Sequence, residues 1–173
     1  MSGPIQLSRD ASVAEHNGSD FVSGLFRVNQ IYSRGVHSIR LSLMALPSSN
    51  IFIGIIEATA KQSISPPYGW VIGNKQVIEH KPGEFKIFQM IKKFWSFWML
   101  NQLKHYFNRD GKQDDTIEIE IEIEIDCVNL KIALNNKQIN EKYELDIDLD
   151  QSPLPWQIII KLDHHGDRVH LQQ

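Results

Sequence analysis

The sequence has a single cysteine, Cys127, among its 173 residues. An intramolecular disulfide needs two cysteines, so no covalent crosslink within the chain holds this fold together. A fold that relies on its apolar core alone is typical of a reducing compartment. We therefore expect a cytoplasmic protein, with the nucleus as the alternative.

The sequence also lacks an excess of basic residues and any long apolar run. Its net charge of −3 predicts no general attraction to nucleic acid or to acidic membranes. The uncharged stretch 94–103 has about half the length that a membrane-spanning helix needs. The first residues, Met1 to Pro4, show no basic region followed by an apolar segment, so we expect no secretory signal.

What the chain does have is a strict alternation near its centre. In the segment 117–125, five isoleucines at odd positions alternate with four glutamates at even positions. A period of two places one residue type on each face of a β-strand, whereas a helix cannot sort this pattern onto two faces. We expect the five isoleucines to be buried and the glutamates to face water.

Short apolar segments separated by turn residues precede this strand. Segments 24–31 and 36–46 flank a Tyr32–Gly35 turn, and the continuous apolar run 51–56 has the length of a buried strand. Further on, the pair Asn135 and Asn136 predicts a hairpin turn, because asparagine tolerates the left-handed conformation. The spacing of these segments is typical of a β-sandwich.

One segment breaks the β pattern. Between Glu84 and Phe107 the aromatic and aliphatic residues recur every three or four positions, which predicts an amphipathic helix. We expect this helix to pack on its own domain, and self-association through it is an alternative. The chain is then a lead-in, 1–12, that we expect to be flexible and one domain, 13–173, with a helical insertion at 84–110.

Charge is unevenly distributed along the chain. Residues 110–150 contain thirteen acids and four lysines, a net charge of −9, whereas the rest of the chain sums to +6. A solvated sheet face explains the acids most simply, and attraction of a basic partner is the alternative.

The order of these landmarks resembles the SPRY domain family over about Val13 to Leu171. The similar segments are Tyr32–His37, Phe52–Ile56, Tyr68–Trp70, Thr116–Asp126, Leu130–Asn136, Pro153–Gln157 and Gly166–Val169. The chain differs from the family pattern at Ser38–Arg40, where Trp-Glu is common, and at the 84–107 insertion. The resemblance implies an all-β fold, a bent sandwich of two antiparallel sheets of the concanavalin-like kind.

The resemblance also implies a role without catalysis, in which loops hold a short peptide of a partner protein, as in substrate adaptors of ubiquitin ligases. By position, the contacting loops would be 13–20, 65–70 and 162–166. The candidate contact residues in these loops and in the Tyr32–Gly35 turn are His16, Asn17, Tyr32, Arg34, Tyr68, Trp70, Asp163, His164 and His165. As large aromatic residues, Trp70 and Trp156 are also expected in the core.

Catalytic and metal-binding alternatives have weaker support. The glutamates of 118–124 have the spacing of paired glycosidase carboxylates, but four identical repeats show no distinct acid and base. Adjacent His164 and His165 point to opposite faces if extended, which disfavours a shared metal. We therefore predict no enzyme activity, no metal and no cofactor.

The sequence thus predicts a module that recognises a peptide of another protein, without nucleic-acid or membrane binding, and that is monomeric. The alternative from another class is a carbohydrate-binding or glycan-cleaving sandwich.

Overall fold

The computed structural model describes residues 3–19, 22–46, 49–60, 68–73, 76–81, 116–137 and 139–172. In these ranges the regular structure consists of strands: β1 (Ile5–Leu7), β2 (Val13–His16), β3 (Gly24–Tyr32), β4 (Val36–Ala45), β5 (Asn50–Glu57), β6 (Tyr68–Gly73), β7 (Gln76–His80), β8 (Ile117–Asp126), β9 (Lys131–Asn136), β10 (Glu141–Asp146), β11 (Trp156–Leu162) and β12 (Arg168–Gln172).

The strands form two antiparallel sheets. One has seven strands in the order β1-β2-β12-β4-β8-β9-β10, and the other has five in the order β3-β11-β5-β6-β7. The expected all-β architecture of two antiparallel sheets is confirmed. Although β3 and β4 are separated by three residues, they lie in different sheets, so the Tyr32–Gly35 turn carries the chain from one layer to the other.

The five-stranded sheet places its aliphatic strands in the middle. On β5 the buried residues Ile51, Ile53 and Ile55 point inward, and Ile158 and Ile160 of the neighbouring β11 do the same. Each fully buried aliphatic side chain contributes about 1.5–3 kcal/mol before chain entropy is subtracted. The prediction of a buried strand in the run 51–56 is confirmed.

In the seven-stranded sheet, β8 follows its alternating sequence only in part. Ile121, Ile123 and Ile125 are buried, Ile119 is partly buried, and Ile117 is 39% exposed. The prediction that all five isoleucines are buried is therefore wrong at Ile117. Ile117 pairs with Ala45 at the last position of the β4–β8 ladder.

The β9–β10 hairpin has its turn later than the sequence predicts. Asn135 and Asn136 both belong to β9, and Asn140, with φ of 54°, ends the connection that closes the hairpin. The Asn136 side chain accepts a hydrogen bond from the Ile139 amide at 3.4 Å. The prediction that Asn135 and Asn136 form the turn is thus corrected: the asparagine that adopts the left-handed conformation is Asn140.

The sheet also begins earlier than the expected domain boundary at Val13. Residues Ile5–Leu7 form β1 and pair with β2 in the register Ile5 to His16. Ile5 is buried, because it fills the space left by the missing side chain of Gly24. Part of segment 1–12 is therefore integral to the sheet.

The predicted helix at 84–107 and the insertion 84–110 lie outside the described residues. The described ranges include no helix of the length and apolar character that crossing a membrane requires.

Candidate functional site

The candidate contact residues are divided between two ends of the sandwich. We call the end formed by the described parts of loops 17–23, 46–49 and 163–167 the Asn17 end, and the opposite end, with turns 33–35 and 127–130, the Arg34 end. Strand pairing fixes this division, because Leu162 lies opposite Gly24 at the first end and Trp156 lies opposite Tyr32 at the second. Since β11 spans seven residues, the two ends are separated by about 20 Å.

At the Asn17 end, two of the three predicted contact loops meet. The His16 amide donates to the Asp167 carbonyl at 2.9 Å, and the Gly166 amide donates to the His16 carbonyl at 2.8 Å. This reciprocal pair extends the β2–β12 ladder into the loops. The two loops therefore hold a fixed position relative to each other.

The side chain of His16 supports this junction from inside. It is fully buried, and its Nε2 donates to the Val22 carbonyl at 2.7 Å. Its Nδ1 has no hydrogen-bond partner among the described residues. His16 therefore anchors the loop 17–23, and its ring is not available to a partner.

Asp167 links the same junction to a third loop. Its carboxylate is fully buried and accepts hydrogen bonds from the Ser49 hydroxyl at 2.6 Å and from the His164 amide at 2.9 Å. Burial raises the pKa of the Asp167 carboxyl, and the hydrogen bond from Ser49 opposes that shift. The carboxylate holds loops 46–49 and 163–167 together.

The surface of this end is formed by neighbours of these anchors. Asn17 and His165 are exposed, and His164 is partly exposed. Asn17 donates to Gln6 on β1 at 3.2 Å. Asp163 is buried and lies 2.9 Å from the Lys161 ammonium as an ion pair that lacks hydrogen-bond geometry. Asn17, His164 and His165 are the predicted residues that this end presents to solvent.

The Arg34 end holds two other predicted residues. The Arg34 side chain is exposed, and its carbonyl accepts a hydrogen bond from His37 Nε2 at 2.7 Å. Tyr32 is buried as the last residue of β3, with its ring 5.1 Å from that of His37. Burial raises the pKa of Tyr32 to about 12. Of this pair only Arg34 can reach a partner without rearrangement.

The aromatic residues of β6 belong to the core. Tyr68 and Trp70 are buried, and the Tyr68 hydroxyl accepts a hydrogen bond from the Asp148 amide at 3.3 Å. Trp156 is fully buried as well, and its indole donates to the Ser152 carbonyl at 2.9 Å. The expectation that Trp70 and Trp156 are core residues is confirmed. Residues 65–67 of the predicted loop lie outside the described residues.

Two glutamates of β8, Glu118 and Glu122, have structural partners. Glu122 contacts Lys137 at 2.5 Å, accepts from Ser38 at 2.7 Å and lies 3.7 Å from Arg40. The hydrogen bond from Lys137, followed by that from Ser38, lowers the pKa of Glu122 to about 2. A carboxylate held ionised in this way is a poor general acid. In the described ranges no three His, Cys, Asp or Glu side chains are arranged to hold a metal ion.

Ser49 and Asp167 are the residues of this end that the sequence did not single out. Nothing in the pattern His164-His165-Gly166-Asp167 distinguishes a buried aspartate from a solvated one. Its burial depends on the approach of a loop 118 positions away, which a local pattern cannot reveal.

Comparison with known proteins identifies similar folds among solved structures. No protein-family model matches the sequence, and no curated protein matches it at the level of sequence. Among solved structures, the SPRY domain of human HERC1 is similar with a TM-score of 0.59 and 9% identity, over 98% of this chain and 92% of that domain.

Two further structures have comparable similarity. The PSpry domain of TRIM65 has a TM-score of 0.54 and 12% identity, over 98% of this chain and 86% of that one. The carbohydrate recognition domain of Emp47p has a TM-score of 0.54 and 8% identity, over 98% and 83%. These similar structures are SPRY and lectin-type binding domains. At such low identity the likeness concerns the fold, and on that evidence the chain has the SPRY-like β-sandwich that its sequence landmarks predict.

Proposed function

We propose that this domain binds a short extended segment of a partner protein through the loops of the Asn17 end. The observation that carries the proposal is the reciprocal hydrogen bonding of His16 with Gly166 and Asp167. It joins two loops that the SPRY resemblance assigns to peptide contact. Loops held in place before binding lose less conformational entropy when they bind, which favours recognition.

The exposed groups of this end suit a polar peptide backbone. The amide of Asn17 and the imidazole of His165 can each donate and accept hydrogen bonds. His164 and His165 directly precede Gly166, which has a φ of 87° and has no atom within 4 Å of the position that a side chain would take. A peptide can therefore approach the backbone closely at Gly166. A role as the substrate-recognition part of an adaptor is included in the proposal and rests on the resemblance.

The proposal excludes the buried candidates from direct contact. His16, Tyr32, Tyr68, Trp70 and Asp163 are buried, so their contribution is to position the loops and the core. Arg34 is exposed at the opposite end, about 20 Å away. A short segment bound beside Asn17 therefore does not reach Arg34.

Affinity capture with the full chain, quantified by mass spectrometry, tests this assignment. The double variant Asn17→Ala/His165→Ala should reduce recovery of the specific partner about tenfold, because both side chains lie at the contact. Arg34→Ala is the matched control, since it also removes an exposed polar side chain, and it should leave recovery unchanged.

Equal recovery by the loop variant and the wild type would overturn the proposed surface, as would a loss seen with Arg34→Ala alone. Binding on a glycan array, with no protein captured, would replace peptide recognition by the function that the Emp47p domain is named for.

A further inference from the structure

A second surface, independent of the Asn17 end, lies at the edge of the seven-stranded sheet. Among the described strands, the two sheets end in β1, β10, β3 and β7. β1 has three residues, and the pairing of β3 with β11 shifts register between Gln157 and Ile159. β10 has six residues and pairs with β9 in unbroken register from Glu141 to Asp146.

The outer side of β10 has no strand partner within the described ranges. Alternate backbone amides and carbonyls of an edge strand point away from its sheet, so they can bind another extended chain. The side chains of Lys142, Glu144 and Asp146 are exposed on one face of β10, so no described residue covers the strand from that face. A regular edge of six residues is long enough to align a peptide.

The side chains of β10 set the pattern that an added strand should have. Leu145 is buried and Tyr143 is partly buried on the inner face, whereas Lys142, Glu144 and Asp146 lie on the outer face. Side chains alternate between the two faces of a strand, so an added peptide strand would place every second side chain on the inner face, beside Tyr143. Its other side chains would lie on the outer face, beside Glu144. An alternation of apolar and charged residues fits this edge.

The negative charge of this edge favours a positively charged partner. Residues 139–150 contain five acids, Glu141, Glu144, Asp146, Asp148 and Asp150, and the single base Lys142, a net charge of −4. In the sheet, Glu144 and Glu124 lie in one row with only Ala133 between them. A second copy of the chain would bring the same net charge, whereas a basic segment would neutralise it.

Apolar residues lie exposed at both ends of the strand. Ile139 is 55% exposed just before β10, and Leu149 is 39% exposed just after it. Exposed side chains of this size beside a free edge can hold the ends of an added strand.

We propose that β10 accepts, by strand addition, an extended segment of a partner protein in which basic and apolar residues alternate. The backbone of β10 supplies hydrogen bonds, and Tyr143 contacts the apolar side chains. Within the domain Glu144 lies 2.5 Å from the Lys142 ammonium and Asp146 lies 3.4 Å from that of Lys131, so the excess negative charge of residues 139–150 attracts the basic side chains. This surface does not depend on the loops of the Asn17 end.

The test uses the full chain and a fluorescent, end-capped heptapeptide of alternating lysine and valine, with binding followed by anisotropy at physiological salt. The peptide should bind, and Glu144→Lys should weaken it about fivefold, because an attractive cross-strand pair becomes repulsive. Glu120→Lys makes the same charge change on the same face two strands away, about 10 Å from β10, and should weaken binding less than about twofold.

A second peptide separates strand addition from charge attraction alone. The same sequence methylated at its backbone nitrogens keeps its charge but cannot donate the ladder hydrogen bonds, so it should bind about tenfold more weakly. Equal binding of the two peptides, or equal loss with Glu144→Lys and Glu120→Lys, would overturn the proposal. A dimer of the domain alone in sedimentation, abolished by Glu144→Lys, would assign the edge to a second copy and overturn it as well.

Discussion

The carboxylate of Asp167 accepts a hydrogen bond from the hydroxyl of Ser49 at 2.6 Å, and neither side chain reaches solvent. Loops 46–49 and 163–167 are thus joined beneath the surface at the Asn17 end. Burial of the Asp167 carboxylate costs free energy when it is ionised and outweighs its hydrogen bonds, so stability should depend on pH.

We expect the stability of the wild type, relative to Asp167→Asn, to fall as pH rises. The pKa of Asp167 is raised in the fold from an ordinary value of 3.8, so its favourable contribution is complete below pH 3.8. That contribution is lost as pH rises through the folded-state pKa. Urea unfolding of both proteins from pH 3 to pH 7 measures the difference.

The variant Ser49→Ala sharpens the same experiment. Removing the hydroxyl takes away a hydrogen bond that favours the charged form, so the loss of stability should become larger and extend to higher pH. A stability difference that is constant with pH, or that increases, would contradict the assignment of Asp167 as a carboxyl with a raised pKa.

Glu122 should show the opposite pH dependence. Its pKa is lowered from 4.5 to about 2, so its contribution is complete above pH 4.5 and is lost as pH falls toward 2. Glu122→Gln should destabilise the fold at neutral pH, because it removes the ion pairs of Glu122 with Lys137 and Arg40. The loss should be only about 1 kcal/mol, since the side chains of both partners are partly exposed to solvent. Thermal melting across this pH range gives the measurement.

The matched control for that change is Glu120→Gln, the same substitution two residues away on an exposed glutamate of β8. It should alter the unfolding free energy by less than about 0.5 kcal/mol. Equal destabilisation by the two variants would indicate that the acidic face acts through its total charge and not through the contacts of Glu122.

The buried part of β8 can be separated from its exposed start by two identical substitutions. Ile121→Ala should cost about 3 kcal/mol, since Ile121 is 2% exposed, and Ile117→Ala should cost less than about 1 kcal/mol. Chemical denaturation measures both. If both variants lose the same stability, the assignment of the sandwich core along β8 is incorrect.

The two buried tyrosines should respond differently to loss of the hydroxyl group. In the described part of the chain the Tyr32 hydroxyl has no hydrogen-bond partner, so Tyr32→Phe should be neutral or stabilising by up to about 1 kcal/mol. Tyr68→Phe removes the acceptor of the Asp148 amide and should destabilise by about 0.5–1 kcal/mol.

Spectrophotometric titration supplies a second measurement for Tyr32. The phenol should ionise near pH 12, where burial places its pKa, and the corresponding absorbance change should be absent from Tyr32→Phe. Ionisation of Tyr32 near pH 10 would show that it is solvent-accessible.

The local pattern of the sequence predicts the strands better than their arrangement. The alternation at 117–125 identifies β8, and the apolar run at 51–56 identifies β5, because burial on one or both faces leaves a direct pattern. Which strands pair with each other leaves no such pattern in the sequence. Nothing local shows that β3 and β4, joined by a short turn, belong to different sheets.

Two of the three predicted contact loops meet at the Asn17 end, but the sequence did not predict the direction of their side chains. His16 and Tyr32 each end a strand, and one residue decides whether the side chain points inward. Near Tyr32 the pairing of β3 with β11 shifts register, and three exposed residues precede the buried tyrosine. The inside–outside alternation is therefore broken there, so the sequence does not predict which way the Tyr32 side chain points. The burial of Asp167 depends on contact with a distant loop, which short-range pattern cannot encode.

The position of β12 has a consequence for biosynthesis. This strand lies between β2 and β4, so the seven-stranded sheet is divided into two unconnected parts until residues 168–172 are inserted. On the ribosome, the polypeptide cannot complete its native structure until those residues have left the exit tunnel. During that interval the inner residues of β2 and β4 remain open to chaperones, which should make the nascent chain a chaperone client.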